Sequence, residues 1–461
     1  MDISSQSALF SYFYSIIAVA TIVGAYYFAK NTSQKKSIVM WMLMGIFFNA
    51  FSFSFIYTAY PIAWLPGGHQ LLYIAVLHIS LSLLAGLPFG LLGSVHYHLR
   101  KKFPYLLPLG MGIAAVISDI CRSLLLSWFF AAPGKSDIGL HWATVTFGHA
   151  LSGTPFIEYA YVGGAYVLTG IFCLLIIAAL SQTLLVRAAY IIITVIGAYS
   201  ISYLAPIHSV QKNVTVGIVG LSSSSVAEDN TFASTTAFIT EELKQAAHTN
   251  ILITPEDTRF LAHLSPSQKK TLASSSVTTV IDGDSIIYHG SPANMSYVYD
   301  VQSETLEGRG KGFMFPFSEY LPSIASTLAK KVVDQSSLLE YTKNRTYSLG
   351  KDPVVFETPY GRVGTLICSE VISYTMIEKL LAQHPDIIIV QTHLPVFHKN
   401  PWFIALYTST LQVLAAQART TVVVSAYDAP SMVIDGHGEV QYTYPLANTF
   451  SQIVLPLSQS K

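Results

Sequence analysis

The chain has 461 residues, of which 51% are hydrophobic and only 11% are charged, and its formal net charge at pH 7 is zero. A soluble domain usually carries about 25% charged residues, so this composition excludes an ordinary soluble protein. The balanced charge gives no basis for binding nucleic acid. Two of the three cysteines lie in apolar runs, so the cysteines make no disulfide framework.

The charged residues are unevenly divided between the two halves of the chain. Of the 26 basic and 26 acidic residues, only nine and four fall within residues 1–206. This division predicts a transmembrane helical domain over 1–206 and a globular domain over 207–461. Six apolar runs in the first domain reach the length of about 20 residues that crosses a bilayer: 8–29, 38–60, 71–97, 104–130, 159–185 and 188–206. The first run is too long for a signal peptide and has no basic segment before it, so we interpret it as an anchor.

Basic residues in the loops predict the orientation of the spans. Three lysines follow the first span, residues 100–102 are all basic after the third, and Arg187 follows the fifth. The loops after the second and fourth spans contain only Lys135. Odd-numbered spans are therefore expected to end in the cytoplasm, which places residues 207–461 on the extracytoplasmic face of a cytoplasmic membrane.

The second half alternates strand-like and helix-like segments. β-Branched or apolar runs predict strands, 3.6-residue periodicity predicts helices, and the Asp282–Gly283 and Asp435–Gly436 pairs are turn signals. This alternation favours a layered α/β domain over a helical bundle or a β-barrel. The predicted strands are 214–221, 250–257, 277–287, 293–301, 362–370, 386–394, 420–428 and a hairpin over 432–444, with helices near 235–248, 371–383 and 402–418.

Three reactive residues follow predicted strands, where α/β sheets place their chemistry. Glu256 follows one strand, Cys368 follows another, and Lys311 lies in the Gly-rich stretch "EGRGKGFMFPFSEYLP" (307–322). Together they form a nucleophile set: the carboxylate takes the thiol proton, the ammonium stabilises negative charge, and the sulfur attacks a carbonyl to give a thioester. Activation is needed because a free thiol, with a pKa of about 8.5, is mostly protonated at neutral pH.

Three segments, in this order, resemble the Glu-Lys-Cys motifs of the nitrilase, or carbon–nitrogen hydrolase, superfamily. They are "TPED" around Glu256, "KGFMFPFSEYLP" from Lys311, and "GRVGTLICSEVI" around Cys368. With six spans before them, the chain resembles the apolipoprotein N-acyltransferase family, the membrane-embedded branch of that superfamily. The resemblance covers nearly the whole chain and implies an α-β-β-α sandwich for the second domain.

The resemblance also implies an activity and further site residues. Such an enzyme moves a fatty acyl group from a phospholipid, through a thioester on Cys368, to the α-amine of the amino-terminal diacylglyceryl-cysteine of an apolipoprotein. The expected partners are thus a phospholipid donor, an apolipoprotein acceptor and the membrane. Glu319 and Glu370 align with further acidic positions of the family, and they act either on substrate or as supports of the triad. No cofactor and no metal is implied.

Two membrane segments also resemble the family: "SDICRS" (118–123) and "FGHALSGTPFIEYAYVGGAYVLTGI" (147–171). Asp119 and Arg122 lie three residues apart on one helix face, and ionisable groups within a span usually face a cavity. They are predicted to form either a lipid head-group site or an ion pair that fixes the bundle. His96 and His98 are two residues apart, on different helix faces, which argues against a metal site there.

The chain also departs from the family. Ser369 stands where the family usually has tyrosine, Trp402 is the only tryptophan after residue 142, and one span at each end has no counterpart. These differences keep two alternatives open. One is a membrane-anchored nitrilase-type amidase that hydrolyses a small amide, and the other is a catalytically inactive scaffold, which an intact Glu256, Lys311 and Cys368 set argues against.

Overall fold

The amino-terminal half of the chain folds into long helices, with a longer connection over residues 131–159 between the fifth and the sixth. The computed structural model describes residues 3–60, 70–181, 183–205, 210–223, 232–245, 248–288, 290–332, 346–445 and 447–458. The helices of this half are α1 (Ile3–Ala29), α2 (Gln34–Ser52), α3 (Gln70–Gly86), α4 (Gly90–Lys102), α5 (Leu107–Phe130), α6 (Ala160–Ala179) and α7 (Leu184–Leu204).

Among the residues that the structure describes, six helical segments are long and apolar enough to cross a membrane, the same number as the predicted spans. The fifth differs most from the prediction, since it begins four residues earlier and ends six residues earlier. In the third, α4 follows α3 after the single turn Leu87–Phe89, and the helix continues to Lys102. The predicted end of the sixth span at residue 206 lies outside the described residues. The segments are Leu9–Ala29, Gln34–Ala59, Gln70–Lys102, Pro104–Phe130, Pro155–Ala179 and Leu184–Leu204.

The backbones of α2 and α4 meet closely because a glycine stands at the contact. A Cβ atom on Gly93 would lie 2.6 Å from the Ser37 carbonyl oxygen and 2.6 Å from the Ile38 Cα. The Ser37 hydroxyl uses this proximity to donate a hydrogen bond to the Gly93 carbonyl at 2.8 Å. Small residues at helix contacts, combined with such hydrogen bonds, are typical of packing between membrane helices.

The chain divides into two compact units, and each is built from separate stretches. The first comprises Met1–Phe129, Ile138–Pro206 and Asn400–Ala418, and the second comprises Phe130–Asp137, Ile207–Lys399 and Arg419–Lys461. The first unit thus includes a helix from late in the chain (Pro401–Ala418). Trp402 begins this helix, donates a hydrogen bond to the Ser52 carbonyl at 3.3 Å, and lies among aromatic rings of α1 and α2.

The second unit contains two six-stranded mixed sheets, in the orders β12-β1-β2-β3-β4-β5 and β11-β10-β9-β8-β7-β6. Strands β1, β2 and β3 are parallel in the first sheet, as are β7, β8 and β9 in the second. The strands are β1 (Val210–Gly220), β2 (Ile251–Ile253), β3 (Thr279–Tyr288), β4 (Ser291–Asp300), β5 (Thr305–Gly310), β6 (Val355–Thr358), β7 (Gly361–Ile367), β8 (Ile387–His393), β9 (Thr421–Tyr427), β10 (Met432–Ile434), β11 (Val440–Thr443) and β12 (Thr449–Ser458).

The two sheets share one apolar core and carry helices on their outer faces. Side chains of both sheets, among them Ile253, Ile281 and Ile389, form a single buried cluster. A second cluster joins the outer face of the first sheet to helices Phe232–Gln245 and Pro266–Ser274, and the helix Tyr374–Leu381 lies against β7. The helices Ser323–Val332 and Pro401–Ala418 complete the described helical elements. The predicted helical membrane half followed by an α-β-β-α domain is confirmed.

Three strands, two helices and one turn differ from the sequence prediction. Strands β5, β6 and β12 and the helices Pro266–Ser274 and Ser323–Val332 were not predicted, and the Asp282–Gly283 pair lies inside β3 rather than in a turn. The physical reason is contact: a Cβ atom on Gly283 would lie 2.3 Å from the Pro255 carbonyl oxygen and 2.6 Å from the Glu256 Cα. The glycine therefore makes room for the segment after β2.

The segment 130–137, which follows α5, belongs to the second unit. Its Ala132 forms a small buried cluster with Met314 and Tyr320. The Tyr320 hydroxyl donates to the Phe130 carbonyl at 2.9 Å, and the Lys135 ammonium donates to the Tyr347 carbonyl. The second unit thus includes a piece of chain that lies between two predicted spans.

One buried side chain connects the two sheets by hydrogen bonds. Gln391 of β8 accepts a bond from the Ser296 hydroxyl of β4 at 2.6 Å and donates one to the Thr254 carbonyl at 2.9 Å. All three residues are fully or almost fully buried. Since unpaired polar groups in a core are costly, this set aligns the ends of the two sheets.

We predict that Gln391→Leu lowers the apparent unfolding temperature of the purified protein in detergent. The substitution leaves the Thr254 carbonyl and the Ser296 hydroxyl without partners, which costs about 1–3 kcal/mol. Adding Ser296→Ala removes one orphaned group and should recover part of the loss. Gln302→Leu, at an exposed position, is the matched control. An unchanged unfolding temperature for Gln391→Leu contradicts the role of Gln391.

Candidate active site

Three strand ends bring the predicted reactive residues together between the sheets. Lys311 follows β5 directly, Cys368 follows β7 directly, and Glu256 lies three residues beyond the end of β2. The Lys311 ammonium lies 3.1 Å from Glu256 Oε1 and 2.9 Å from Glu319 Oε1. The Lys311 backbone N–H donates to the Asn294 carbonyl at 2.9 Å, which fixes the start of the loop.

The three charged residues of this cluster are almost completely buried. The exposed fractions of Lys311, Glu256 and Glu319 are 2%, 4% and 5%. The Asn294 side-chain amide of β4 donates to Glu256 Oε1 at 2.9 Å and to Glu319 Oε1 at 2.6 Å, and the Phe315 N–H donates to Glu319 Oε2 at 2.6 Å. Buried charges persist in proteins when they are paired and hydrogen-bonded, as here.

Cys368 occupies a strained turn at the end of β7. Its φ angle is +46°, in the left-handed region that non-glycine residues seldom adopt. Such strain is held by surrounding structure and occurs often at functional sites. The thiol donates a hydrogen bond to the His393 carbonyl oxygen at 4.0 Å. Its sulfur and the Glu256 carboxylate are close enough for each to shift the pKa of the other. The residue as a whole is partly exposed to solvent, whereas its thiol is buried.

Glu370 fixes the turn that presents Cys368. Its carboxylate pairs with the Arg309 guanidinium at 2.9 and 2.5 Å and accepts the backbone N–H groups of Ile367 at 2.7 Å and Gly312 at 2.6 Å. The Glu370 side chain is completely buried. The carboxylate therefore joins the residue before Cys368 to the residue after Lys311. Glu370 supports the site and has no free oxygen for a substrate.

Ser369 also connects the two loops of the site. Its hydroxyl donates to the Phe313 carbonyl at 2.7 Å, and its side chain is buried. At this position the chain thus places a short side chain that points into the protein. The space next to Cys368 is accordingly shaped by other residues.

The electrostatic environment keeps the thiol protonated and the amine charged. Burial raises the pKa of Cys368 to about 12. The negative charge of Glu256 also raises this pKa, whereas the positive charge of Lys311 lowers it. Burial lowers the pKa of Lys311, but the carboxylates of Glu256 and Glu319 outweigh it and hold the value well above its ordinary range. Burial raises the pKa of Glu256 despite the nearby ammonium. A base is therefore needed to ionise the thiol, and Glu256 is the carboxylate in contact with it.

Asp119 and Arg122 lie in the first unit and form a buried ion pair at 2.8 Å. The Arg122 guanidinium also donates to the carbonyls of Trp142 and Thr144, and Asp119 accepts the Thr169 hydroxyl at 2.6 Å. These contacts join α5 to α6 and to the segment before it, while Arg122 Nη1 is buried without a hydrogen-bond partner among the described residues. The role of the pair, as a bundle-fixing contact or a head-group site, stays a prediction.

Sequence reasoning missed three residues of the site. Asn294 lies within a strand and Arg309 within the Gly-rich stretch, and neither matched a motif. His393 ends β8, and its position after a parallel strand was the one available signal. Among the described residues, no group of three or more His, Cys, Asp or Glu side chains could hold a metal ion.

No protein-family model and no curated protein sequence matches this chain. Solved structures similar to it include an amidase from Nesterenkonia sp., with a TM-score of 0.38 and 12% identity over 54% of this chain and 92% of that one. A CN-hydrolase superfamily protein from Xanthomonas campestris has a TM-score of 0.39 and 13% identity over 53% and 91% of the two chains. Saccharomyces cerevisiae Nit3, a nitrilase-superfamily member, has a TM-score of 0.38 and 13% identity over 54% and 91%.

We predict that Glu370→Gln strongly lowers the apparent unfolding temperature. The substitution removes the negative charge from a buried pair and leaves the Arg309 guanidinium uncompensated, which typically costs about 3–5 kcal/mol. Thermal unfolding in detergent measures the change. Glu357→Gln breaks an exposed pair with Arg362 and is the matched control, expected to change stability by less than about 1 kcal/mol. Equal unfolding temperatures for the two variants contradict a supporting role for Glu370.

Proposed function

We propose that this chain is a cysteine-dependent enzyme of the carbon–nitrogen hydrolase type that transfers fatty acyl groups. The observation that carries the proposal is the buried contact set of Glu256, Lys311, Glu319 and Cys368, on strand ends of two facing sheets. A protonated thiol, a carboxylate in contact with it and a fixed ammonium are the components that thioester formation needs. The strained turn at Cys368 adds a cost that a purely structural cysteine would not require.

In the proposed first half-reaction, Glu256 removes the proton from Cys368 as the sulfur attacks the ester carbonyl of a lipid. The Lys311 ammonium stabilises the negative charge that develops on the carbonyl oxygen. The carbon–oxygen bond then breaks, and Glu256 returns the proton to the leaving alcohol. The cysteine is left as a thioester and Glu256 as a carboxylate, ready for a second nucleophile.

The six apolar helices support a phospholipid as the acyl donor. A soluble amide substrate needs no bundle of this size, and a single span is enough to tether an enzyme. The motif segments around Asp119 and residues 147–171 resemble those of the apolipoprotein N-acyltransferase family. We propose accordingly that the acceptor is the α-amine of a diacylglyceryl-cysteine at the amino terminus of an apolipoprotein, and that the reaction takes place on the extracytoplasmic face of the cytoplasmic membrane.

A membrane-anchored amidase is the second candidate, favoured by the partial solvent accessibility of Cys368. Water that reaches the thioester would hydrolyse it, and the site would then act on a small amide. Mass spectrometry separates the candidates. The purified protein is incubated with phospholipid and a synthetic diacylglyceryl-cysteine peptide, or with small amides. N-acylated peptide supports the transferase, whereas free fatty acid without acylated peptide, or ammonia from the amides, supports the amidase.

We predict that Cys368→Ser and Glu256→Gln each abolish formation of the acyl-enzyme. The serine oxygen is far less ionised at neutral pH than the thiol, and the Gln side chain cannot take the proton. Lys311→Ala should slow acyl-enzyme formation, because loss of one oxyanion donor raises the activation free energy by a few kcal/mol. Intact-protein mass spectrometry after mixing with phospholipid measures the adduct. Cys121→Ser is the matched control. An adduct at the parental rate in the Cys368 or Glu256 variant contradicts the assigned role.

We predict that a cysteine at residue 267 reacts with a membrane-impermeant maleimide in intact cells stripped of any outer barrier. Ser267 is exposed, whereas Ser265 and Gln268 beside it form the capping box of helix Pro266–Ser274 and should stay unchanged. The labelling uses a chain whose native cysteines have been replaced. Asn31→Cys, in the loop after the first span, is the control expected to react only after lysis. The reverse pattern would place the second unit in the cytoplasm and contradict the proposed location.

A further inference from the structure

His393 is an unassigned titratable residue beside the nucleophile. It ends β8 on the face that Ile387 and Ile389 direct into the core between the sheets, because side chains alternate along a strand. Its carbonyl oxygen lies 4.0 Å from the Cys368 sulfur, and its ring lies on that of Tyr427 with centroids 4.8 Å apart.

The imidazole nitrogens of His393 are uncommitted. Neither makes a hydrogen bond with any residue that the structure describes. The other polar side chains of the site differ in this respect, since Lys311, Glu319, Asn294 and Glu370 all have partners inside the protein. The backbone of His393 contacts the nucleophile, and its half-buried imidazole, with two free nitrogens, interacts electrostatically with Lys311 and Glu319 of the site. Such a histidine can exchange a proton with a molecule bound there.

The proposed transfer to an amine requires a second proton acceptor. An α-amino group has a pKa of about 7.7–8.0, so near neutral pH the acceptor arrives largely as an ammonium with three protons. One proton stays on the nitrogen of the new amide. A second passes through Glu256 to the sulfur of Cys368 when the carbon–sulfur bond breaks. The third proton must leave before the nitrogen has a lone pair for attack, and Glu256 is already engaged.

We propose, on the basis of the proposed acyl transfer, that His393 accepts this third proton from the acceptor's ammonium group. The imidazole takes the proton, and the resulting neutral amine attacks the carbonyl carbon of the thioester. The nitrogen–carbon bond forms, Glu256 moves one proton from nitrogen to sulfur, and the carbon–sulfur bond breaks. The products are the amide, the free Cys368 thiol and an imidazolium that releases its proton to solvent.

The charges around His393 fit this role. Burial lowers its pKa, so the ring is neutral and able to accept at physiological pH. Asp257 and Asp428 act in the opposite direction and stabilise the imidazolium once it forms, as does Glu319, whereas Lys311 opposes it. The Tyr427 ring packs against the imidazole, and the Cys368 thiol contacts the His393 backbone carbonyl. Asp257 is paired with Arg259 at 2.8 Å and Asp428 with Lys399 at 3.3 Å, which leaves His393 as the uncharged member of this set.

Separate measurement of the two half-reactions tests the proposal. The full-length protein is first acylated with phospholipid, and the acyl-enzyme is quantified by intact-protein mass spectrometry. A synthetic diacylglyceryl-cysteine peptide is then added between pH 6 and pH 9, and the acylated peptide is measured over time. The variants are His393→Asn, and His393→Phe, which keeps a ring on Tyr427 and guards against misfolding. His384→Asn, at an exposed position, is the matched control.

The expected result is a defect confined to the second half-reaction. Both His393 variants should form acyl-enzyme at the parental rate and transfer to the peptide at least about tenfold more slowly at pH 7. The deficit should shrink above about pH 8, where the acceptor amine is neutral without help. Hydroxylamine, a weaker base that is mostly uncharged at neutral pH, should cleave the acyl-enzymes of variant and parent equally. His384→Asn should match the parent throughout.

Three outcomes would overturn the proposal. Transfer at the parental rate across the pH range removes any role for His393. Loss of acyl-enzyme formation in both His393 variants assigns the residue to the first half-reaction or to folding instead. If the parent forms acyl-enzyme but acylates no peptide, the proposed transferase function itself fails, and the role of His393 fails with it.

Discussion

One buried ammonium group, that of Lys311, organises the candidate site. It lies between two carboxylates that come from separate parts of the chain, Glu256 after β2 and Glu319 in the loop after β5. A single positive charge cannot neutralise two buried negative charges, and burial raises the pKa of both carboxyl groups. The cluster therefore holds protons more tightly than exposed carboxylates would. That property suits a group that must take a proton from a thiol of raised pKa and return it.

The second constraint is geometric and is carried by Glu370. Four hydrogen bonds from three separate places in the chain meet on one carboxylate, and they fix the turn in which Cys368 has its left-handed backbone. Cys368 keeps its strained, left-handed backbone conformation because these hydrogen bonds hold the turn. Without them the backbone would relax to a conformation of lower energy. The charges around Lys311 thus set the protonation states of the site, and the hydrogen bonds of Glu370 set the position of the Cys368 sulfur.

The parts of the structure with a local signal could be predicted from the sequence. Hydropathy over windows of about 20 residues located the six described helical segments that are long and apolar enough to span a membrane, and short motifs predicted that Glu256, Lys311 and Cys368 would lie together. Residues defined only by their spatial neighbours could not be found in this way. Asn294 is one polar residue within a strand, and its role depends on pairing with two carboxylates brought near by the fold. Arg309 gave no sign of its partner Glu370, which is 61 residues away. The grouping of helix Pro401–Ala418 with the first unit likewise depends on long-range contacts, since its sequence is that of any apolar helix.

The interleaving of the two units has a consequence for how the protein is made. Phe130 and Tyr320, which share a hydrogen bond inside the second unit, are 190 residues apart. During synthesis, residues 130–137 leave the ribosome long before Met314 and Tyr320, which pack against Ala132 of this segment. The segment waits without these partners until more than two thirds of the chain has been synthesised. A gene fragment that starts at residue 207 would lack this segment. Met314 and Tyr320, in the loop after Lys311, would then lose their contact with Ala132. The two units have therefore to be inherited, expressed and folded as one molecule.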